Sequence, residues 1–137
     1  MHVRNLADSE SFVTADGSSI RELAGRVAAP SVNQSLAEAT VPVGGATTAH
    51  YHPIAEELYF ITAGTGRMRL GTDERDVVVG DCVVIPPGVE HKLTNTGAEP
   101  LVLLCCCAPG YTHEDTVLTE PSHGESATPA PAERSGT

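Results

Sequence analysis

The sequence predicts an all-β protein whose short antiparallel strands form a single barrel or two-sheet sandwich. Three observations predict this fold. Short runs rich in Val, Ile, Leu, Tyr and Thr recur at regular spacing, with Gly or Pro between them. No long segment shows the helical period. The core must also be aliphatic, because 40% of the 137 residues are hydrophobic and only 4% are aromatic, and Val-rich segments favour strands.

The first element, residues 1–30, is predicted to form an N-terminal hairpin that covers an edge of the barrel. The segment SFVT is followed by the turn signal ADGSS and the strand IREL, and Asp-Gly between two such segments is typical of a hairpin turn. Residues 31–43 then form a strand ending at Pro42. Inside it, NQSLAEA would fit an amphipathic helix or a strand, and its neighbours favour the strand.

The barrel is predicted over residues 31–118. After the Gly44-Gly45 break, the strands are TTAHYH, EELYFIT, RMRL, DVVV, CVVI, HKLTN and LVLLCCC, and the turns between them include AGTG, GTDER, PPGVE and TGAEP. Residues 119–137, rich in Pro, Ala and Ser, are predicted to be a flexible tail, because they cannot bury enough apolar surface to offset the entropy of ordering. His123 in this tail is assigned no role.

The charge excludes two classes of partner. The chain has a formal net charge of −10, and its eight basic residues form no cluster, so a nucleic acid or an anionic membrane finds no basic face. No apolar run approaches the ~20 residues that a membrane-spanning helix needs, and the N-terminal segment lacks the apolar core of a signal peptide. We therefore expect a cytoplasmic protein whose partner is a small molecule.

The four cysteines are not arranged as a metal or disulfide motif. They are Cys82 and the run Cys105, Cys106 and Cys107. Neighbours in a strand point to opposite faces, so the three adjacent thiols are poorly placed to bridge one another. No CxxC spacing occurs, which disfavours a zinc ribbon. Reduced, buried thiols that behave as small hydrophobic side chains are the expectation.

Three histidines and one glutamate suggest a metal site. His50 and His52 are two residues apart, so on a strand both imidazoles point to one face. Glu57 lies across the Pro53 bend on the next strand, and His91 follows a rigid Pro-Pro-Gly turn that fixes its direction. Imidazoles with one carboxylate suit Fe(II), Mn(II), Ni(II), Zn(II) or Cu(II), and suit Mg²⁺ or Ca²⁺ poorly.

Two segments carry the pattern of a known family. They read Gly44-x5-His50-x-His52-x4-Glu57-x6-Gly64 and Gly80-x5-Pro86-x-Gly88-x2-His91-x3-Asn95. Every fixed position matches the two signature motifs of the cupin superfamily, so the chain resembles a small single-domain cupin. The resemblance implies a jelly-roll β-barrel of two antiparallel sheets, which is often a homodimer. It also implies one divalent transition metal per chain, held near the barrel mouth by His50, His52, Glu57 and His91.

The motif allows three or four residues before its glutamate, so Glu56 is a second candidate ligand. The spacing to the motif glycine decides between them, because Gly64 is seven residues after Glu57, whereas Glu56 would need a glycine at Ala63. Glu57 is therefore the predicted ligand, and Glu56 is expected to face solvent.

Other side chains are expected to line the pocket by strand parity. Tyr59 shares a face with Glu57 and is either a core residue or a catalytic or substrate contact. Leu93 shares a face with His91, and Gln34 is a candidate polar pocket group. One alternate set of the last strand, Leu101, Leu103, Cys105 and Cys107, is expected to face the cavity. His113, in YTHEDT, would lie over the mouth, at a dimer contact or simply on the surface.

The resemblance implies several functions. A dioxygenase-type or related oxidative tailoring enzyme acting on a small organic molecule is the first hypothesis. A metal-dependent isomerase, lyase or decarboxylase is the second, and a non-catalytic protein that binds metal or a small ligand is the third. A fold alone does not fix the chemistry, so the metal, the substrate and the reaction stay open.

Overall fold

The computed structural model describes residues 1–26 and 29–121, and this part of the chain is built from short β-strands. The strands are β1 Phe12–Val13, β2 Ser19–Ala24, β3 Ser35–Val41, β4 His50–Tyr51, β5 Glu56–Ala63, β6 Gly66–Leu70, β7 Asp73–Val77, β8 Cys82–Ile85, β9 His91–Asn95, β10 Leu101–Ala108 and β11 Val117–Leu118. Two 3₁₀ helices, Leu6–Asp8 and His113–Asp115, complete the elements. Among the described residues no helix is long and apolar enough to cross a membrane.

The strands form two antiparallel sheets that pack on a common core. The first sheet has the order β1-β2-β3-β10-β5-β8, and the second has the order β11-β4-β9-β6-β7. The core draws on both sheets, with Ile61 and Leu103 from the first packed against Met68 and Leu93 from the second. This arrangement confirms the predicted all-β fold of two antiparallel sheets.

Strand alternation decides which side chains enter the core. In β5, Glu57, Tyr59 and Ile61 are buried, whereas the residues between them are exposed. In β10, Leu101, Leu103 and Cys107 are buried. Glu56 is exposed as expected. A period of two therefore directs one face of each strand into the barrel and leaves the other face outside.

The N-terminal hairpin forms and extends the first sheet. β1 pairs with β2, and β2 pairs with β3 from Ser19 opposite Thr40 onwards. The NQSLAEA segment is a strand, as its neighbours predict. Because β2 occupies the edge of β3, the turn between β1 and β2 is brought to the barrel interior, where Asp16 lines the cavity.

The prediction for the segment after β6 was wrong by several residues. The sequence analysis assigned GTDER to a turn and DVVV to a strand, but β7 spans Asp73–Val77. The turn needs only Gly71 and Thr72, because Gly71 adopts φ +60°. The charged residues of β7 then pair with β6, and Arg67 contacts both Glu74 and Asp76.

The C-terminal segment contributes more structure than predicted. After β10 the chain forms the second 3₁₀ helix and then β11, which pairs with β4. Thr119 and Glu120 were assigned to the tail, but the Thr119 amide donates to the Ala49 carbonyl and Glu120 accepts from the Ala49 amide. The remainder of the predicted tail, with His123, lies outside the described residues.

All four cysteines are free thiols, as expected. Their burial differs from the prediction, however, because Cys82 is exposed and only Cys107 is fully buried. Cys82 has the outward parity of β8, opposite to that of the buried Ile85.

Candidate metal centre

The three histidines are brought together by two neighbouring strands of the second sheet. His50 lies in β4 and His52 follows it, and both side chains are buried. His91 begins β9 and pairs directly with His50 across the two strands. The Pro-Pro-Gly turn before His91 is tied to the site, because the Gly88 amide donates to the His52 carbonyl at 2.8 Å. Gly88 has φ +80°, a conformation that favours glycine.

Glu57 reaches the same point from the opposite sheet. Its Oε1 atom lies 3.2 Å from His52 Nε2 and 3.6 Å from His91 Nε2. One ligand atom from each of the four side chains lies within 4.8 Å of every other. The structure therefore brings together the four residues that the sequence analysis named as ligands.

Each imidazole is oriented by a backbone carbonyl. The Nδ1 atoms of His50, His52 and His91 contact the carbonyl oxygens of Thr48, Asp115 and Val89 at 2.7, 2.9 and 3.0 Å. A carbonyl oxygen only accepts hydrogen bonds, so each Nδ1 must carry the proton. The lone pair of each ring then lies on Nε2, the atom that faces the centre, as in histidines that bind metals.

Two buried polar atoms at the centre lack a hydrogen-bond partner. They are Glu57 Oε1 and His91 Nε2, which accept or donate no hydrogen bond within the described part of the chain. Buried polar atoms without partners are rare, because their desolvation is uncompensated. A cation among the four side chains would satisfy both atoms. The residues present therefore fit a metal.

The electrostatics also favour a cation. Burial alone would raise the pKa of Glu57, but the imidazoles of His52 and His91 outweigh burial and hold this pKa well below its ordinary value. Burial lowers the pKa of His50. At His52 burial acts in the same direction, but the neighbouring Glu57 carboxylate outweighs it and raises the pKa. Glu57 thus stays ionised and supplies a buried negative charge.

Cys107 supports the Glu57 carboxylate from behind. Its Sγ donates a hydrogen bond to Glu57 Oε2 at 3.2 Å. Burial raises the pKa of the Cys107 thiol well above its ordinary value, so the sulfur keeps its proton. The thiol therefore orients one carboxylate oxygen and leaves Oε1 for the centre.

A cavity of about 70 Å³ opens beside the four side chains. Its walls are mainly apolar and include Ile20, Ala37, Ala39, Val41, Leu93, Leu103 and Cys105. Tyr59 and Leu93 line the cavity, which is where the sequence analysis expected them. Tyr59 packs edge-on to His91, with 5.9 Å between the ring centroids.

The placement of Gln34 was wrong. Gln34 is exposed and precedes β3, and it is absent from the cavity wall. The inward positions of β3 are Ser35, Ala37 and Ala39, which have the opposite parity to Gln34. Gln34 therefore does not face the cavity.

The cavity residues that the sequence analysis missed include Asp16, Tyr111 and Thr116. Asp16 lies in ADGSS, which the sequence analysis interpreted only as a turn. Tyr111 and Thr116 belong to the YTHEDT segment, which folds over the mouth, and the Tyr111 ring packs edge-on to His52. His113 itself contacts Glu114 at 3.5 Å and does not line the cavity. The aromatic residue and the histidine that follow the last core strand were the sequence signal that this segment lies near the cavity.

The sequence matches one family model, which describes a cupin domain and covers residues 37–107. The chain is also similar to an uncharacterized protein of Methanocaldococcus jannaschii, with 48% identity over 109 residues. That alignment covers 80% of this chain and 87% of the relative.

Solved structures show the same fold at low sequence identity. Oxalate decarboxylase from Bacillus subtilis superposes with a TM-score of 0.75 and 19% identity, covering 87% of this chain and 32% of that one. The Streptomyces protein Pac13, a nucleoside dehydratase, superposes with a TM-score of 0.70 and 15% identity, covering 93% of this chain and 99% of that one. At such identities the likeness concerns the fold alone.

Proposed function

Because the chain belongs to the cupin domain family, we propose that it is a metal-dependent enzyme that acts on a small organic molecule. One observation carries the proposal. Three imidazole nitrogens and one carboxylate oxygen, all buried, lie within 4.8 Å of one another beside a cavity. Buried histidines and a carboxylate in such proximity are costly without a cation, and they form a mixed N/O ligand set.

The four side chains at the centre are the metal ligands in this proposal. His50, His52 and His91 bind one divalent transition metal through Nε2, and Glu57 binds through Oε1. Fe, Mn, Ni, Zn and Cu all suit this ligand set. When bound, the metal supplies Lewis-acid polarisation of a coordinated oxygen atom. The apolar wall excludes water from the ligand, and Cys107 keeps Glu57 in its orientation.

Tyr59 is the proposed catalytic or substrate-binding side chain outside the metal ligands. Its side chain is buried and faces the cavity. Burial raises the pKa of its hydroxyl well above the ordinary value, so Tyr59 stays protonated. A protonated phenol can donate a hydrogen bond to an oxygen atom of the ligand.

A dioxygenase-type conversion, or a related oxidative tailoring step, is the reaction we propose first. Non-haem Fe(II) held by histidine and carboxylate ligands with open positions serves such reactions. The apolar wall would suit a small organic substrate of low charge. Leu93 is proposed to contact this substrate.

A non-oxidative reaction is the second candidate. The structural similarity to an oxalate decarboxylase and to a nucleoside dehydratase favours lyase, isomerase or decarboxylase chemistry on a small ligand. A structure of the Streptomyces protein was solved with uridine, and this supports a ligand within the barrel. A protein that binds a ligand without turnover is the third outcome.

Metal analysis followed by oxygen uptake tests the proposal. We expect about one divalent transition metal ion per chain in the purified protein, measured by elemental analysis. Iron together with oxygen uptake on addition of a diketone, a catechol or a thiol would support the dioxygenase-type reaction. Zinc or nickel without oxygen uptake would support the second candidate. A protein that binds no transition metal, even after incubation with each ion, would contradict the whole proposal.

A further inference from the structure

A second carboxylate stands beside the metal centre. Asp16 lies in the turn between β1 and β2, and its side chain is 16% exposed. Its Oδ1 atom accepts hydrogen bonds from Thr14 Oγ1 at 2.7 Å, from the Ser18 amide at 2.9 Å and from Ser18 Oγ at 2.6 Å. The carboxylate is thereby fixed through one oxygen atom, and the other oxygen takes no part in the turn.

That other oxygen faces the centre. Asp16 Oδ2 lies 3.9 Å from His50 Nε2, the ring nitrogen that carries the lone pair. Asp16 is nevertheless outside the group of four side chains whose ligand atoms converge. The turn is also fastened to the strand region that precedes His50, because the Thr48 amide donates to the Asp16 carbonyl at 2.6 Å. Asp16 is thus held next to the ligands, at the cavity wall.

The ionisable side chains of the cavity wall leave no positive charge for an anionic ligand. Asp16, Glu22 and Glu57 are the carboxylates of the wall, and neither Lys nor Arg contributes to it among the described residues. Histidine ligands are neutral when they bind a metal. A divalent cation would therefore offset only two of the three carboxylate charges. An anionic ligand would add a further negative charge that nothing in the wall compensates.

We propose that Asp16 selects a neutral, hydroxyl-bearing carbonyl compound over carboxylate and phosphate analogues. This inference rests on the proposed metal-dependent function. The carbonyl oxygen of the ligand would face the metal, and its hydroxyl group would donate to Asp16 Oδ2. A carboxylate or phosphate group bound in place of the hydroxyl group has no proton to donate to Asp16 Oδ2. Its negative charge would also be repelled by the Asp16 carboxylate in this partly desolvated site.

Asp16→Asn separates this role from a structural role in the hairpin. The asparagine side chain keeps a carbonyl oxygen to accept the three hydrogen bonds at Oδ1, and it removes the charge at Oδ2. Thr14→Val is the matched control. It removes one hydrogen bond to Oδ1 and leaves the Asp16 charge in place.

The test compares two probes of nearly equal size. Hydroxyacetone and pyruvate differ only in a hydroxymethyl group in place of a carboxylate. Binding to the Mn(II)-loaded protein is measured from the paramagnetic relaxation of the methyl protons of each probe. We expect the wild type to bind hydroxyacetone at least about tenfold more tightly than pyruvate. The ratio of the two affinities should fall about tenfold in Asp16→Asn and stay unchanged in Thr14→Val.

Several results would overturn the inference. Wild-type protein that binds pyruvate as tightly as hydroxyacetone, or that binds neither probe, contradicts it even if Asp16→Asn does not fold. An unchanged preference in folded Asp16→Asn also contradicts it, as does an equal loss of preference in Thr14→Val. Failure of the proposed function is distinguishable, because elemental analysis would then show no bound Mn(II) before any probe is added.

Discussion

Every imidazole of the metal centre makes a hydrogen bond to a backbone carbonyl through its Nδ1 atom. Two of these carbonyls, of Thr48 and Val89, lie two residues before the histidine they orient. The third belongs to Asp115, far along the chain. Ring orientation and tautomer are therefore set before a metal binds, which reduces the entropy lost on binding.

The first prediction concerns the ligands themselves. His52→Ala and His91→Ala should each abolish stoichiometric metal binding while the protein stays folded, because each removes one buried Nε2 atom from the centre. Glu57→Ala should weaken binding less, since three imidazoles remain. Elemental analysis and circular dichroism measure the two properties. Full metal occupancy in either histidine variant would show that the ligand assignment is wrong.

The second prediction concerns Cys107. Cys107→Ala removes the thiol that donates to Glu57 Oε2, and the loss of such an outer contact typically lowers metal affinity by about 10- to 100-fold. Cys107→Ser should restore most of the affinity, because the hydroxyl group also donates. Competition with a chelator measures the affinity, and Cys82→Ala, at an exposed position, is the control. Equal affinities of Cys107→Ala and Cys82→Ala would contradict the prediction.

Individual site residues differed in how well the sequence predicted them. The spacing of His50, His52, Glu57 and His91 matches the two cupin motifs, so the resemblance identified them as ligands. Asp16 could not be identified, because its turn pattern predicts only local geometry. The position of the turn beside the cavity depends on the pairing of β2 with β3, which the pattern does not reveal. Gln34 failed for a simpler reason, since it was chosen for its polar side chain, whereas the inward positions of β3 have the opposite parity.

The strand that bears His50 is short and depends on its neighbours. β4 contains two residues and lies between β9 and β11. The chain just after it is held by Asp115, whose two carboxylate oxygens accept from the amides of Ile54 and Ala55 at 2.9 Å each. The 3₁₀ helix therefore fixes the bend that separates His52 from Glu57.

The third prediction follows from this contact. Asp115→Ala leaves two backbone amides without their acceptor, and we expect a loss of about 1–3 kcal/mol in the free energy of unfolding. Metal affinity should also fall, because the bend beside His52 loosens. Urea unfolding and chelator competition measure the two effects. Glu114→Ala, at a neighbouring and largely exposed side chain, is the control, and an equally small effect of both variants would count against this role of Asp115.

Elements with strong alternation were the predictable ones. The β5 and β10 segments are long and rich in β-forming residues, and both were found where the sequence placed them. β7 is charged at four of its five positions, so its residues resembled a turn, and only pairing with the arginines of β6 makes it a strand. β11 has two residues, too few for any period to be recognised.

The outer face of the first sheet is apolar across several strands. Leu58 and Phe60 of β5 are 38% and 43% exposed, and Val84 of β8 is 53% exposed. In the strand register Leu58 lies opposite Val84 and Cys106, and Phe60 lies opposite Leu104. These residues carry no charge, although the chain as a whole has a formal net charge of −10. A second copy that covers these residues would bury apolar surface, with Glu38 and Glu56 at the border of the contact.

The fourth prediction is that the protein forms a homodimer through this face. Phe60→Lys should shift the protein to monomers, because it places a charge at the centre of the apolar surface. Light scattering after size-exclusion chromatography measures the molar mass. Thr62→Lys, at an exposed position near the end of β5, is the control. A wild-type monomer at micromolar concentration would contradict the prediction.

The four ligands all lie within residues 37–107, the range that the family model covers. Asp16, Tyr111 and Thr116, which close the cavity, all lie outside that range. Under the proposed function, the part of the chain that the family model covers would hold the metal, and the flanking segments would complete the wall of its pocket. Exchange of these flanks between relatives should therefore change the ligand preference and leave the four metal ligands in place.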